Sequence, residues 1–292
     1  MRPDQRRAPS RATTSTDAAK PAAKPGGNGK PRNYVQGSTA QALGAEQLAE
    51  LRVDLLAGAA TLGMPLDDRA ADRLLQYLEL LRRWNSVYNL TAIHQPREVL
   101  VHHLLDSLAV VAPLLHQLGR TTAGAAAPTA PAASASAAAA SAAVPSALTA
   151  TVRLLDVGSG GGLPGVVLAV ALPWLQVHCV DTVGKKATFI RQAAAELGLP
   201  NLHSHHARVE ELKLPAFDVV TSRAFASLAD FVLLTRTLLA PQGVWMAMKG
   251  QHPADEIAAL PAHAEVMHVE ALAVPGNPGE RCIVWLHHAA IT

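Results

Sequence analysis

The sequence predicts an α/β fold with a mostly parallel seven-stranded sheet that has an antiparallel edge, preceded by a small helical subdomain. From Arg153 onward, short apolar runs alternate with helical patterns, which is typical of a parallel sheet covered on both faces. The last two runs, 263–272 and 281–288, are joined only by a turn rich in proline and glycine, so we expect them to pair antiparallel. Residues 41–118 show the helical period instead.

The individual elements follow from these periods and from their start and stop signals. Strands are predicted at 153–157, 176–181, 201–206, 217–222, 243–249, 263–272 and 281–288. Helices are predicted between them at 164–172, 184–198, 227–240 and 253–260. The first of three helices expected in the subdomain is broken by Gly63–Pro65. The second is capped by Asp67 or Asp68, and the third begins at Pro96.

Composition divides the chain into four parts. Residues 1–40 are rich in small and basic residues and are predicted to form a disordered basic tail. Residues 119–151 are rich in alanine and are predicted to form a flexible insertion. The helical subdomain at 41–118 and a ligand-binding sheet domain at 152–292 make up the rest. The tail is interpreted either as a solvated segment without a specific role or as a weak electrostatic arm for RNA.

Positive charge is concentrated in the tail. Residues 1–33 contain eight basic and two acidic residues, whereas the remainder contains 17 basic and 21 acidic residues. This argues against a body coated uniformly in basic charge for nucleic acid, but it allows a local patch. The two cysteines and 13 histidines show no metal-ligand spacing, so no metal site is predicted. A reduced cytoplasmic protein without a membrane span is expected.

A glycine-rich turn follows the first predicted strand in the segment Leu154–Gly165, which has the sequence LLDVGSGGGLPG. Glycines there allow positive φ angles and let the backbone approach a ligand closely. Leu163 stands where the dinucleotide-binding fingerprint has its third glycine, and the carboxylate of Asp156 would repel a diphosphate. A cation is not repelled, so we predict that Asp156, Gly158 and Gly160 bind S-adenosylmethionine. The alternative is a tight strand–helix turn without a ligand.

Two further strand ends are predicted to line the same site. Asp181, at the end of the second strand, is expected to accept hydrogen bonds from ribose hydroxyls or to cap the following helix. Val209 and Glu210 follow the third strand. They are expected either to border the adenine or to form a capping turn.

The segment Ser222–Phe225, after the fourth strand, indicates the kind of methyl acceptor. It lacks the Asn/Asp-Pro-Pro-aromatic run of enzymes that methylate exocyclic amines, and it contains no cysteine for covalent catalysis. An acceptor with a free lone pair remains, such as guanine N7, for which in-line positioning suffices without a general base. Arg223 is predicted to position a ligand carboxylate, a phosphate or the base. The alternative for Arg223 is an ion pair with Asp218 or Asp230.

Basic side chains near the predicted site are candidates for contacts with RNA phosphates. They are Lys185, Lys186, Arg191 and Lys249. The first three lie early on the predicted helix 184–198, where cations oppose the helix macrodipole, so a purely structural role explains them poorly. The alternative is a solvated helix face.

Seven segments together carry a resemblance to a known family. They are YLELLRRWNSVYNLTAI (77–93), HHLLDSL (102–108), LLDVGSGGGLPGVVLA (154–169), DTVGKKATFIRQ (181–192), ARVEEL (207–212), FDVVTSRAFASL (217–228) and MKG (248–250). In this order they resemble the bacterial small-subunit ribosomal RNA guanine-N7 methyltransferases, also called glucose-inhibited division protein B. The resemblance extends over 46–118 and 152–288, and the tail and the alanine-rich insertion depart from it.

The resemblance implies a class I methyltransferase fold of the Rossmann-like kind, S-adenosylmethionine as methyl donor, and methylation of guanine N7 in 16S rRNA. By position it implies ligand contacts from Gly158, Leu163, Val209, Glu210 and Arg223. The expected partner is 16S rRNA or the small ribosomal subunit, and a monomer is expected. Two other functions stay open: a methyltransferase for another RNA or a small molecule, and a regulatory protein that binds S-adenosylmethionine without catalysis.

Overall fold

The structure is a computed structural model that describes residues 42–120, 151–223, 225 and 227–290. The predicted tail at 1–40 lies outside these residues. So does the part of the predicted insertion at 121–150. The predicted division of the chain into four parts therefore stays a prediction.

Two long helices come first in the described chain. Helix α1 spans Ala45–Thr61 and helix α2 spans Asp68–Tyr88. Of the two predicted caps the structure selects Asp67, whose side chain accepts a hydrogen bond of 2.7 Å from the N–H of Ala70. Helix α2 is capped at its C-terminus by Asn89, which has a left-handed backbone with φ 49°. The apolar face of α2 is buried through Leu74, Leu75, Leu78 and Leu81.

The third helical stretch begins at Pro96, as predicted, and contains a π-helical segment that the sequence analysis did not predict. Its parts are α3 (Pro96–Val99), the π-helical segment (Leu100–Leu105), α4 (Asp106–Leu108) and α5 (Val111–Gln117). Among the described residues, Pro96–Gln117 is the one helix long and apolar enough to cross a membrane by length and composition. However, 72% of its most apolar window is buried within the fold, as expected for a core helix.

Seven strands of the described chain form one mixed sheet in the order β3-β2-β1-β4-β5-β7-β6. Their bounds are β1 Arg153–Val157, β2 Gln176–Asp181, β3 Leu202–His206, β4 Phe217–Ser222, β5 Leu239–Lys249, β6 Ala264–Ala271 and β7 Cys282–His288. Strands β1 to β5 are parallel, and β7 runs antiparallel between β5 and β6. The predicted fold class and its antiparallel edge are confirmed.

Both faces of the sheet are buried. The helices that follow the strands are α6 (Gly165–Ala171), α7 (Gly184–Glu196), α8 (Leu228–Thr235) and α9 (Ala254–Ala258). Successive residues of β1 point to opposite faces. Leu154 packs in the core shared with the helices before the sheet, and Leu155 packs in the core that contains Phe231 of α8.

The junction between α8 and β5 differs from the prediction. The helix ends at Thr235 instead of 240, and the strand begins at Leu239 instead of 243. The N–H of Phe217 donates to the carbonyl oxygen of Leu238 at 2.7 Å, and Phe217 pairs with Leu239 in the sheet. This long-range pairing with β4 extends the strand into a segment that the local sequence predicts as helix and turn.

The strand order places a switch point between β1 and β4, whose carboxyl ends lie side by side. The hydroxyl of Ser222, at the end of β4, donates to the carbonyl oxygen of Val157, at the end of β1, at 2.9 Å. In open α/β sheets the ligand binds outside the carboxyl ends of the strands at such a point.

Candidate active site

The glycine-rich turn after β1 has the backbone that the sequence predicts. Gly158, Gly160 and Gly162 have positive φ angles of 68°, 59° and 84°. A Cβ atom built on Gly158 has no neighbouring heavy atom within 4 Å, whereas one on Gly162 lies 2.4 Å from Cγ2 of Val166. The turn is therefore open at Gly158 and packed against α6 at Gly162.

Asp156 is fully buried in β1, directly before this turn. Its Oδ2 accepts a hydrogen bond of 2.9 Å from the N–H of Gly165, and its Oδ1 has no hydrogen-bond partner among the described residues. Burial raises the pKa of Asp156 to about 7, although the bond from Gly165 and the charge of Arg223 oppose that shift. A buried carboxyl group with one unpaired oxygen fits a cationic ligand.

Asp181, at the end of β2, organises two backbone segments beside the turn. Its Oδ2 accepts from the N–H of Gly160 at 3.0 Å, and its Oδ1 accepts from the N–H of Val183 at 2.8 Å. The second bond lies just before α7 and resembles the capping role in the prediction. The predicted contact with ribose hydroxyls stays a prediction, and Asp181 occupies the strand end where such a contact is made.

The remaining predicted donor contacts lie around the same strand ends. Leu163 and Val209 are buried, and Glu210 is exposed. Val209–Glu211 forms one 3-10 turn after β3, so the capping-turn alternative for these residues describes the local backbone. The predicted adenine contact is compatible with that turn and stays a prediction.

Tyr77 joins the helices before the sheet to the glycine-rich turn. It lies on α2, its side chain is fully buried, and its hydroxyl donates a hydrogen bond to the carbonyl oxygen of Gly161. The sequence does not distinguish Tyr77 from the other residues of the predicted second helix. Its position on the apolar face of a predicted helix indicated only a core residue.

Arg223 follows β4 and reaches the third helical stretch. Its Nη1 donates to the carbonyl oxygen of His102 at 3.1 Å and lies 3.4 Å from Oδ2 of Asp106. The Nε of Arg281, which directly precedes β7, donates to Oδ1 of the same carboxylate at 2.9 Å. Buried Asp106 thus bridges two arginines, and each of its oxygens has a cationic partner.

The alternative pairing predicted for Arg223 is wrong. Asp218 accepts a hydrogen bond of 2.8 Å from the backbone N–H of Arg153, and Asp230 accepts from the hydroxyl of Ser227 at 2.8 Å. Arg223 does form an ion pair, but with a residue 117 positions earlier in the chain. The only sequence signal for Asp106 was an acidic residue inside an apolar helical pattern.

His103 lies beside Arg223 and is held in a neutral state. Its Nε2 is 2.7 Å from Oγ1 of Thr91, and its Nδ1 is 3.4 Å from Nη1 of Arg223. Burial, followed by the charge of Arg223, lowers the pKa of His103 to about 4. An uncharged imidazole does not compete with the arginines for the carboxylate.

A pocket of about 590 Å³ opens beside Arg223. It lies between the third helical stretch, which contributes Glu98 and Asp106, and the carboxyl-terminal part of β5, which contributes Met248. Arg281 lines it from the start of β7. Arg223 thus lines this pocket and directly follows Ser222, whose hydroxyl donates to the carbonyl oxygen of Val157 immediately before the glycine-rich turn. The pocket and the turn are therefore neighbours at one edge of the sheet.

The four basic candidates for phosphate contacts divide into two groups. Lys185 and Arg191 are exposed on α7. Lys186 lies 3.8 Å from Oδ2 of Asp181, and Lys249 lies 2.7 Å from Oε2 of Glu256. The sequence analysis predicted neither ion pair. Phosphate contacts stay a prediction for all four side chains. No group of three or more metal-ligating side chains in the described part of the chain could hold a metal ion.

The strand order and the glycine-rich turn (hereafter the donor turn) define a class I S-adenosylmethionine-dependent methyltransferase. The open glycines of the turn and the carboxyl groups of Asp156 and Asp181 beside it fit a cationic ligand of that kind. The family model described as rRNA small subunit methyltransferase G matches residues 70–122 and 138–284. The chain belongs to this family, and the methyl donor is S-adenosylmethionine.

Proteins named ribosomal RNA small subunit methyltransferase G from three organisms are similar to this chain. The protein from Leptothrix cholodnii is 56% identical over 240 residues, which are 82% of this chain and 97% of the relative. The protein from Acidovorax ebreus is 54% identical over 233 residues, with coverage of 80% and 93%. The protein from Albidiferax ferrireducens is 53% identical over 244 residues, with coverage of 84% and 100%.

Proposed function

We propose that this enzyme transfers the methyl group of S-adenosylmethionine to N7 of a guanine in 16S rRNA. The observation that carries the proposal is the position of the 590 Å³ pocket: it is lined by Arg223, which directly follows Ser222, and Ser222 is hydrogen-bonded to Val157 immediately before the glycine-rich turn. A base in the pocket and a donor on the turn would meet at Arg223. The names of the relatives support rRNA as substrate, and the family resemblance supports guanine N7.

The donor contacts belong to the proposal. Gly158 and Gly160 leave the turn open to a ligand, and Asp156 offers an unpaired carboxyl oxygen, whose ionised form a bound sulfonium or ammonium group would favour. We expect Asp181 to bind the ribose hydroxyls, and we expect Leu163, Val209 and Glu210 to contact the rest of the nucleoside. These assignments rest on the order of the strand ends and on the resemblance.

The acceptor needs positioning more than acid–base catalysis. The donor supplies a methyl group on sulfur: the C–N7 bond forms as the C–S bond breaks, and the positive charge moves to the purine without loss of a proton. The pocket suits this chemistry because it offers no strong base: His103 has a pKa of about 4, and both oxygens of Asp106 are held by arginines. Arg223 is the positioning residue between donor and acceptor, where correct alignment supplies most of the rate enhancement.

The partner is 16S rRNA, free or within the small ribosomal subunit, and the enzyme acts in the bacterial cytoplasm as a monomer. Exposed Lys185 and Arg191 support contact with RNA phosphates, because they lie on α7 near the donor turn. Lys186 and Lys249 contribute only where RNA competes with their carboxylate partners.

The test is methyl transfer from labelled S-adenosylmethionine to small ribosomal subunits and to naked 16S rRNA from cells that lack this enzyme. We expect one N7-methylguanine, mapped by chain cleavage after borohydride and aniline treatment. Label on another RNA, on a small molecule or on another base atom would overturn the proposal. As a control, Gly158→Asp is expected to fold normally and to lose donor binding in calorimetry, because its side chain enters the open side of the turn.

A further inference from the structure

We propose that Glu98 recognises the Watson–Crick edge of the acceptor guanine and determines base specificity. The inference rests on the proposed function, since it presumes that the 590 Å³ pocket receives the base that is methylated. Glu98 lies in the first turn of α3 and lines that pocket.

Glu98 is the pocket carboxylate that is available to a ligand. Of the residues that the structure describes, Glu98 and Asp106 are the two acidic ones lining the pocket. Asp106 is buried and has Arg223 on one oxygen and Arg281 on the other. Glu98 is exposed and forms neither an ion pair nor a side-chain hydrogen bond with any described residue. Two oxygens with free acceptor sites therefore face the pocket or its rim.

Guanine presents a matching pair of donors. Its N1–H and N2–H₂ groups lie side by side on one edge, so that one carboxylate accepts from both, in the same manner as it accepts from an arginine. Adenine has an unprotonated N1 at that position, which a carboxylate repels. A carboxylate bound to N1–H and N2–H₂ leaves O6 and N7 free along the adjacent Hoogsteen edge.

Other residues that line the pocket fit the rest of that orientation. Arg223 and Arg281 present N–H donors, which suit the O6 acceptor of guanine. Ile93, Met248 and Leu272 supply apolar surface for the faces of the ring. In the proposed orientation, with the Watson–Crick edge at Glu98, the N7 side faces Arg223, which directly follows Ser222 at the switch point with β1.

A purely structural role for Glu98 makes a different prediction. An acidic residue in the first turn of a helix stabilises the helix through the macrodipole. Glu46 likewise lies in the first turn of a helix, α1, but it does not line the pocket, so it is the matched control. If Glu98 only stabilised its helix, Glu98→Gln and Glu46→Gln would have similar small effects on thermal stability, and neither would change catalysis.

The first experiment compares Glu98→Gln, Glu46→Gln and the unsubstituted enzyme on small subunits that lack the methyl group. Glutamine keeps one acceptor and places an amide donor against a guanine donor. We expect Glu98→Gln to lower kcat/KM for the subunit by about 10- to 100-fold, with an unchanged dissociation constant for S-adenosylmethionine. Glu46→Gln should match the unsubstituted enzyme in both measurements. Equal activity of Glu98→Gln and Glu46→Gln would overturn the inference.

The second experiment replaces the target guanine by inosine in subunits reconstituted with ligated 16S rRNA. Inosine lacks only the N2 amino group. We expect inosine to lower kcat/KM of the unsubstituted enzyme by about tenfold relative to guanine. In Glu98→Gln, which has already lost the contact with the N2 amino group, inosine should lower kcat/KM only slightly further. Equal inosine losses in both enzymes would overturn the role of Glu98 alone. Failure of the unsubstituted enzyme to methylate guanine N7 would instead overturn the proposed function.

Discussion

The hydroxyl of Tyr77 on α2 donates a hydrogen bond to the carbonyl oxygen of Gly161 in the glycine-rich turn, 84 residues later in the chain. A Cβ atom on Gly161 would lie 3.1 Å from Cδ1 of Leu81, which is also on α2. The helix therefore packs closely on the donor turn at two neighbouring points. The position of the helices before the sheet fixes the shape of the glycine-rich turn, at which we propose that the donor binds.

Replacement Tyr77→Phe is expected to weaken both folding and donor binding. It leaves a buried carbonyl group without its donor, which costs about 1–3 kcal/mol in the free energy of unfolding. A turn with one fewer tether should bind S-adenosylmethionine several-fold more weakly in calorimetry. Tyr88→Phe is the control, because Tyr88 is 40% exposed at the end of the same helix. Unchanged donor affinity in Tyr77→Phe would contradict the coupling of helix and turn.

Alanine at two glycines of the turn should separate folding from binding. Both positions have positive φ angles, which cost an alanine about 1–2 kcal/mol. Gly162→Ala adds a clash with Val166 and should lower the unfolding free energy by about 1–3 kcal/mol more than Gly158→Ala does. Gly158→Ala places its methyl group in open space and should lose at least about tenfold in donor affinity. Denaturant unfolding and calorimetry check the two effects, and the reverse order of stabilities would contradict the assignment.

Replacement Asp106→Asn should impair methyl transfer more than donor binding. It removes the charge that holds the two arginines at the pocket wall, and each arginine side chain is about one quarter to one third exposed. We expect kcat for rRNA methylation to fall about tenfold or more, while the dissociation constant for S-adenosylmethionine changes less than about threefold.

The matched control for Asp106→Asn is Asp72→Asn. Asp72 also pairs with an arginine, Arg52, but on the surface and outside the pocket. This substitution should leave kcat unchanged. A parallel loss of activity in both variants would indicate a general effect on the fold and would remove the special role of Asp106.

The ligand-free enzyme should lose stability as the pH rises through the pKa of Asp156. Burial raises the pKa of its carboxyl group from 3.8 to about 7, so the native state holds a proton that the unfolded chain has released. The stabilising contribution is complete below the unfolded value and is lost as the pH rises through about 7. Asp156→Asn, which stays neutral, should gain stability relative to the unsubstituted enzyme between pH 5 and pH 8. Denaturant unfolding at both pH values checks this, and parallel pH profiles would contradict it.

Much of the fold follows from local sequence. The bounds of β1, β2 and β4 agree with the prediction to the residue, because each is an apolar run with clear polar or glycine signals at its ends. The start of β5 does not follow from its own sequence. Pairing of Leu239 with Phe217 decides it, and a tertiary contact of that kind overrides the local preference for helix and turn.

Features of the site that lie within one segment of the chain could be predicted from the sequence. Contacts between segments that are distant in the chain could not be predicted. The positive φ angles of the turn follow from its glycines, and the placement of Asp181 follows from the end of a strand. The contacts of Asp106 with Arg223 and Arg281 span 117 and 175 residues. They depend on how the third helical stretch docks on the sheet, and no local spacing encodes that docking.

The π-helical segment Leu100–Leu105 has a geometric consequence for the pocket. Asp106 lies eight positions after Glu98. In a regular α-helix at 3.6 residues per turn, the side chains at this spacing would point about 80° apart. A single π-bulge accommodates one extra residue and reduces that angle to about 20°. Both carboxylates line the pocket in this arrangement. Deletion of one residue that converts the segment to a regular α-helix would leave a spacing of seven and keep that angle near 20°, whereas one further insertion or deletion would rotate Glu98 by about 100° relative to Asp106. The alignment of the two acidic groups is thus set by a count of residues rather than by their chemistry.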